Sequence, residues 1–119
     1  MNPVITLPFP SAKLSGHGNG GWRKKAGPIA SSRALAWGTA MEFKTRMKLP
    51  PHPEDIGIAM HFYPPDRRSD RVNFANRMKP YIDGIAEALG FNDIRLLPTY
   101  HFHQPDKDDP RVEVILGQP

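Results

Sequence analysis

A chain of 119 residues is one domain, long enough to bury a core and too short to divide into two. It contains no cysteine, which excludes disulfides, thiolate catalysis and cysteine-ligated zinc and suits a reducing compartment, so the cytoplasm is the expected setting. Its net charge of +4 is compatible with an anionic partner such as nucleic acid, no run of about 18 apolar residues exists to span a bilayer, and MNPVITLPFP does not read as a secretion signal.

Residues 4–7 open the chain with a short β-like run closed by Pro8 and Pro10. Residues 11–27, with GHGNGGWRKK at their centre, are rich in Gly, Ser and basic side chains and are expected to form a mobile basic loop. Trp22 beside Arg23, Lys24 and Lys25 can stack on a base while the cations meet phosphate, or can pack the loop down. Ser31 or Ser32 offers an N-cap for a helix running to about Met47, with Ala36, Ala40, Phe43 and Met47 on one stripe.

LPPHPED then breaks regular structure, and residues 56–63 alternate strictly, as a half-buried strand does, before Pro64 and Pro65 end it. Phe74, Met78, Tyr81, Ile82, Ile85, Ala88 and Leu89 fall at helical spacing, with Gly90 as the stop. Pro80 conflicts with one continuous helix, so either the helix kinks there or residues 70–78 form a separate turn and the main helix starts near Lys79. Residues 96–103 and 111–116 read as two strands joined through QPDKDDP as a hairpin. The order is β-α-β-α-β-β, which predicts a single α/β or α+β domain: a mixed sheet with two helices packed on it.

Chemistry concentrates between Pro64 and Asp93. Asp70 follows the strand, Lys79 lies nine residues on, and Asp93 follows the helix, so a strand and helix packed antiparallel can bring the two acids together. Magnesium is held by one or two carboxylates plus waters, and a lysine beside it can stabilise charge on a phosphate; equally, Asp70 and Asp93 can simply cap a helix and a turn. Asp83 lies four residues after Lys79, and a helical pair of that kind contributes only about 0.2–0.5 kcal/mol. His101 and His103 share a strand face and could chelate a transition metal, with His61 or His52 adding to them, though ordinary histidines explain them as well. Asp106, Asp108 and Asp109 read as solvated loop charge, as do the cations Lys44, Arg46 and Lys48.

The stretch HFYPPDRRSDRVNFANRMKPYIDGIAEALGFND, with ITLPFPS before it and RVEVIL after, resembles the RusA family of crossover-junction endodeoxyribonucleases of bacteria, phages and prophages. The resemblance covers nearly the whole chain, and KPYIDGIAEALG is its most specific part. It implies a homodimeric, magnesium-dependent nuclease, with manganese as a substitute, that cuts four-way (Holliday) junctions in recombination and repair. By position, Asp70 and Asn73 match the ends of the family's Asp-x-Asp-Asn, Lys79 its lysine, Asp83 its helix aspartate and Asp93 its later acid. Asp70, Lys79 and Asp93 are thus the expected catalytic residues, Asp70 and Asp93 the metal ligands, and Asn73 and Asp83 supporting residues. Two departures stand out: Val72 replaces the second acid, and Asn92 the first of an acidic pair. Arg23, Lys24, Lys25, Arg67, Arg68, Arg71 and Arg77 are the cations expected to meet branched DNA. The alternatives are a relative that binds junctions without cutting, and a small basic RNA- or protein-binding domain.

Overall fold

The computed structural model describes residues 2–11, 21–51, 55–68 and 71–117, with the backbone alone for 21–26. Strand β1 (Ile5–Pro8) leads to helix α1 (Gly21–Phe43), strand β2 (Ile56–Tyr63), a short helix α2 (Phe74–Arg77), helix α3 (Lys79–Leu89), and strands β3 (Leu96–Phe102) and β4 (Arg111–Gly117). The four strands form one mixed sheet in the order β1-β4-β2-β3. The α+β class and the β-α-β-α-β-β order expected from the sequence are both present.

Strand β2 is central because its alternation is strict. Ile56, Ile58, Met60 and Phe62 are buried on one face while Gly57, Ala59, His61 and Tyr63 sit on the other, half-exposed. Val112, Val114 and Leu116 of β4 and Ile5 and Leu7 of β1 continue the buried face. Each fully buried side chain of this size contributes about 1.5–3 kcal/mol relative to exposure. Helices α1 and α3 cover that face, and among the described residues no layer of the chain covers the opposite one.

The expected hairpin between the last two strands is not formed. β3 pairs in parallel with β2, from Ile56↔Leu96 to Phe62↔Phe102, whereas β4 pairs antiparallel with β2 on the other side and with β1. The polar segment after β3 is not a tight turn but a connection that steps over the end of β2, tied down by Asp106 N–H to the Pro64 carbonyl at 2.8 Å. Parallel neighbours need a long crossover, and α2–α3 supplies it between β2 and β3.

Two further expectations are corrected. Helix α1 begins at Gly21 rather than at a serine cap, so Ser31 and Ser32 lie inside it and residues 21–27 of the expected basic loop are helical; residues 12–20 of that expected loop lie outside the described residues. Pro28 costs that helix a rung of its ladder, yet the alanine-rich sequence on both sides continues it. Pro80, by contrast, decides between the two alternatives for the second helical region. The chain forms a 3-10 turn at Arg71–Asn73, then α2, breaks at Met78, and starts α3 at Lys79 with Pro80 in its first turn, where a missing N–H costs nothing.

Helix α1 meets α3 through small residues. Ala36 and Ala40 are fully buried, and a Cβ added at Gly84 would lie 2.3 Å from the Arg33 carbonyl oxygen and 3.1 Å from the Ala36 Cβ. The backbones therefore touch, and only glycine fits. Above the crossing, Arg33 pairs with Glu87 at 2.8 Å on the exposed surface. Tyr81, buried, donates its hydroxyl to the Pro8 carbonyl at 2.8 Å and so ties α3 to β1. Gly84→Ala is expected to lower stability by about 1–3 kcal/mol in denaturant unfolding, through overpacking. Gly38→Ala, where an added Cβ meets nothing within 4 Å, is expected to raise stability by about 0.5–1 kcal/mol, through helix propensity.

Candidate active site

Lys79 is the first residue of α3, and its ammonium meets two carboxylates: Asp83 Oδ1 at 2.8 Å, one turn along the helix, and Asp93 Oδ2 at 2.5 Å. The first contact follows from helical spacing. The second depends on how the helix ends. Gly90 adopts the left-handed conformation, φ 77°, and its N–H caps the Ala86 carbonyl at 2.9 Å, which turns the chain back along α3. Asn92 then caps the following 3-10 turn, its Oδ1 accepting from the Ile94 N–H at 3.1 Å. Because Asn92 does the capping, the Asp93 carboxylate is left for Lys79. A cap was one of the two uses open to Asp93, and the structure gives that use to its neighbour.

All three side chains are open to solvent, Lys79 at 62% and the acids at about a third. Hydrogen bonds that its ammonium donates to Asp83 first, then to Asp93, hold Lys79 above the usual lysine range. The same lysine, through its hydrogen bond and its charge, holds the Asp93 carboxyl below the usual aspartate range. At this exposure such pairs add little to stability. What they fix is chemistry: a protonated ammonium of defined position beside two carboxylates. Carboxylates that converge on one positive charge suit a hard cation, since magnesium takes one or two of them and completes its shell with water. Asp93 is the described ligand expected for it. Asp70, the expected second ligand, lies outside the described residues. Among the described residues no group of three His, Cys, Asp or Glu side chains could hold a metal ion.

The remaining expected residues divide. Val72 stands in the 3-10 turn at Arg71–Asn73 and is 84% exposed, so a side chain there faces solvent and not the core. Asn73 leads directly into α2. Arg67, Arg68 and Arg71 are exposed in the connection that leads from β2 to α2, with Arg67 donating to Gln104 Oε1 at 2.5 Å. Arg77, expected to face DNA, is instead 8% exposed, its guanidinium over the Phe74 ring and donating to the Pro10 carbonyl; it packs the fold. The side chains of Arg23, Lys24 and Lys25 lie outside the described residues.

Residues with no motif organise the uncovered face of the sheet. His101 stacks on His61 with centroids 4.4 Å apart, His61 Nδ1 and His103 Nε2 share a hydrogen bond of 2.8 Å, Tyr63 stacks on His103, and Arg111 lies over Tyr63 at 4.0 Å. Burial first, then the neighbouring imidazoles, lowers the His61 pKa, so its ring is neutral near pH 7. His52, a further candidate ligand, lies outside the described residues. Asp106 and Asp109 are not merely solvated: Arg111 binds them at 2.9 and 3.7 Å and also Glu113 at 2.9 Å, and its hydrogen bond lowers the Asp106 pKa. The strand face shared by His101 and His103, with His61 as a possible addition, signalled part of this row in the sequence; Tyr63 and Arg111 carried no such signal.

The Lys79–Asp93 link has a defined pH signature. A depressed carboxylate pKa makes the pair stabilising above the ordinary aspartate range and lost as pH falls through the lower folded value; a raised lysine pKa makes it stabilising below the ordinary lysine range and lost as pH rises through the higher one. In Lys79→Met the carboxyl-carbon NMR titration of Asp93 is expected to move up toward the ordinary aspartate range, while Lys48→Met leaves it unchanged.

No family model matches the chain. It is similar to an uncharacterized protein of Xylella fastidiosa (strain Temecula1 / ATCC 700964), with 34% identity over 94 residues, which are 78% of this chain and 61% of that protein. The chain therefore spans about three fifths of the length of the curated relative it matches. That relative's name carries no activity, so a functional reading rests on the residues of this chain.

Proposed function

We propose that the chain is a RusA-like, magnesium-dependent endonuclease of phage or prophage type that cuts four-way DNA junctions as a homodimer. The observation that carries this reading is the meeting of Lys79, Asp83 and Asp93 at one exposed point. These are three of the positions through which the sequence resembles that family, and Asp93 reaches Lys79 only by way of the turn after α3.

In this reading Lys79 binds a non-bridging oxygen of the scissile phosphate. Asp83 keeps its ammonium protonated and aimed, so the charge is in place before negative charge builds on phosphorus. Asp93, with Asp70, would hold the magnesium ion, which when bound lowers the pKa of a water and offsets charge on the phosphate. Water oxygen bonds to phosphorus, one ester P–O bond breaks, and the leaving oxygen takes up a proton. Arg67, Arg68 and Arg71, close in sequence to the site, bind the flanking phosphates. A second reading, junction binding without cleavage, is favoured by Val72 and Asn92, which stand where the family's pattern has acids.

A synthetic four-way junction with magnesium or manganese tests both readings, scoring binding and cleavage separately. The expected result is junction cleavage by the parent protein, reduced by at least about 100-fold in Lys79→Met and Asp93→Asn with binding retained. Binding without cleavage in the parent selects the second reading, and no preference for junctions over duplex removes both. Neutralising Arg67, Arg68 and Arg71 together is expected to weaken binding and to flatten its log–log salt dependence by about 0.9 for each phosphate no longer neutralised. Because Val72 is exposed, Val72→Asp is expected to fold with stability within about 0.5 kcal/mol of the parent. Calorimetry with magnesium is expected to show tighter binding in that variant, and equal affinity would remove position 72 from the metal site.

A further inference from the structure

Strand β3 is a sheet edge, and its sequence, LLPTYHF, contains no Asp, Glu, Lys or Arg. Edge strands of soluble proteins are normally blunted by charge, shortness or cover, because their free N–H and C=O groups recruit other strands. From Leu97 onward every residue of β3 is exposed, including Leu97, Tyr100 at 42% and Phe102 at 50%. Tyr100 and Phe102 lie on the helix-bearing face, where both stack against buried Phe62, so the core runs out to this edge and stops uncovered.

Backbone parity determines what the edge presents. The His103 N–H binds the Phe62 carbonyl of β2 at 3.0 Å, so the odd-numbered residues of β3 point their backbone groups inward and the even-numbered ones outward. Pro98 is thus placed where its missing N–H faces out, leaving only an acceptor there. Tyr100 and Phe102 present both donor and acceptor, while the Leu96 N–H is already engaged by the Asp93 carbonyl.

We infer that β3 pairs antiparallel with β3 of a second copy about a two-fold axis at Thr99, joining two four-stranded sheets into one of eight strands. This register overlaps the seven residues of β3 in full. Each Tyr100 N–H then meets the partner's Pro98 carbonyl, and each Phe102 N–H the partner's Leu96 carbonyl, while the Tyr100 and Phe102 carbonyls, opposite proline and the engaged Leu96 N–H, stay open to water. On the helix-bearing face Tyr100 lies against proline and Phe102 against leucine, cross-strand pairs that stabilise antiparallel sheets. Pairing consumes this edge in both copies. The edges left over are β1, four residues long, ending in Pro8 and flanked by prolines at 3 and 10, so the assembly closes as a dimer. The inference deepens the homodimer of the proposed function by assigning its interface, and it does not depend on the chemistry at Lys79.

The chain has no cysteine, so a single introduced thiol reports the interface cleanly. In this register Thr99 faces its own copy as a non-hydrogen-bonded pair, whose Cα atoms lie about 4.5 Å apart, within disulfide range. Thr99→Cys is expected to form a disulfide-linked dimer on mild oxidation, whereas Thr6→Cys on the opposite edge stays monomeric under denaturing conditions. Light scattering at micromolar concentration is expected to give a dimer for the parent. It is expected to give monomers for Tyr100→Pro, which removes only an outward N–H, and for Thr99→Lys, which opposes like charges at the axis, with circular dichroism unchanged in both. A monomeric parent, a dimer that survives both substitutions, or linkage through Cys at 6 and not at 99 overturns the proposal. Junction cleavage is not part of this test: a β3 dimer without junction binding would sink the nuclease reading alone, and junction cleavage by a monomeric parent would sink the interface alone.

Discussion

The backbone contact between α1 and α3 at Gly84 is the constraint on which the rest of the molecule depends. With no Cβ at Gly84, and with Ala36 and Ala40 opposite, the two helices lie close enough to act as one layer over the buried face of the sheet. The Tyr81 hydroxyl on the Pro8 carbonyl anchors that layer to β1. Once α3 is fixed, so is the position of Lys79 at its start and of Asp83 one turn on. The Gly90 turn then decides where Asp93 falls. A packing contact some distance along the helix thus sets the geometry of the candidate site, with side chains that themselves contribute little to stability.

The sheet has two unlike faces and two unlike edges, and each asymmetry bears on function. The helix-bearing face is apolar throughout. The other carries the row from His101 through His61, His103 and Tyr63 to Arg111, where polar rings satisfy one another by stacking and hydrogen bonding. Arg111 is held there by Asp106, Asp109 and Glu113, offsetting part of their negative charge. At the edges, β1 is short and bounded by prolines while β3 is long and aromatic, without acidic or strongly basic side chains. The aromatic edge is continuous with the core through Phe62.

At the candidate site the electrostatics are those of a shared charge. One ammonium serves two carboxylates, so Lys79 is held protonated and in place, and the Asp93 carboxyl is held below the usual aspartate range. Solvent exposure makes this a weak contribution to folding and leaves the ammonium accessible. Val72 projects into solvent from the turn that precedes α2, a position at which an acid would carry no burial penalty. A valine at this position is therefore not required by the core.

Much of this was legible in the chain itself. The period-two run at 56–63 and the 3.6-residue pattern around Tyr81 and Ile85 dictate a central strand and a packed helix, because each buries one face and no other conformation does so. Gly90 as a helix stop and Lys79 with Asp83 as a helical pair follow from local geometry alone. Local signals failed where partners come from afar. The polar segment between β3 and β4 looks like a hairpin turn, yet β3 pairs with β2, because the crossover through α3 lays the parallel strand beside it and leaves the slot between β1 and β2 for β4. The serine caps at 31 and 32 were overruled by a helix that starts at Gly21. Arg77, a surface cation by its charge, was drawn inward by Phe74 and the Pro10 carbonyl. Asp93 joined Lys79 rather than capping its own turn because Asn92 took the cap. Sequence determined which segments are helix or strand and which faces are apolar; tertiary structure decided which strands are neighbours and which charges meet, since pairing and ion contact depend on distances that chain connectivity alone does not specify.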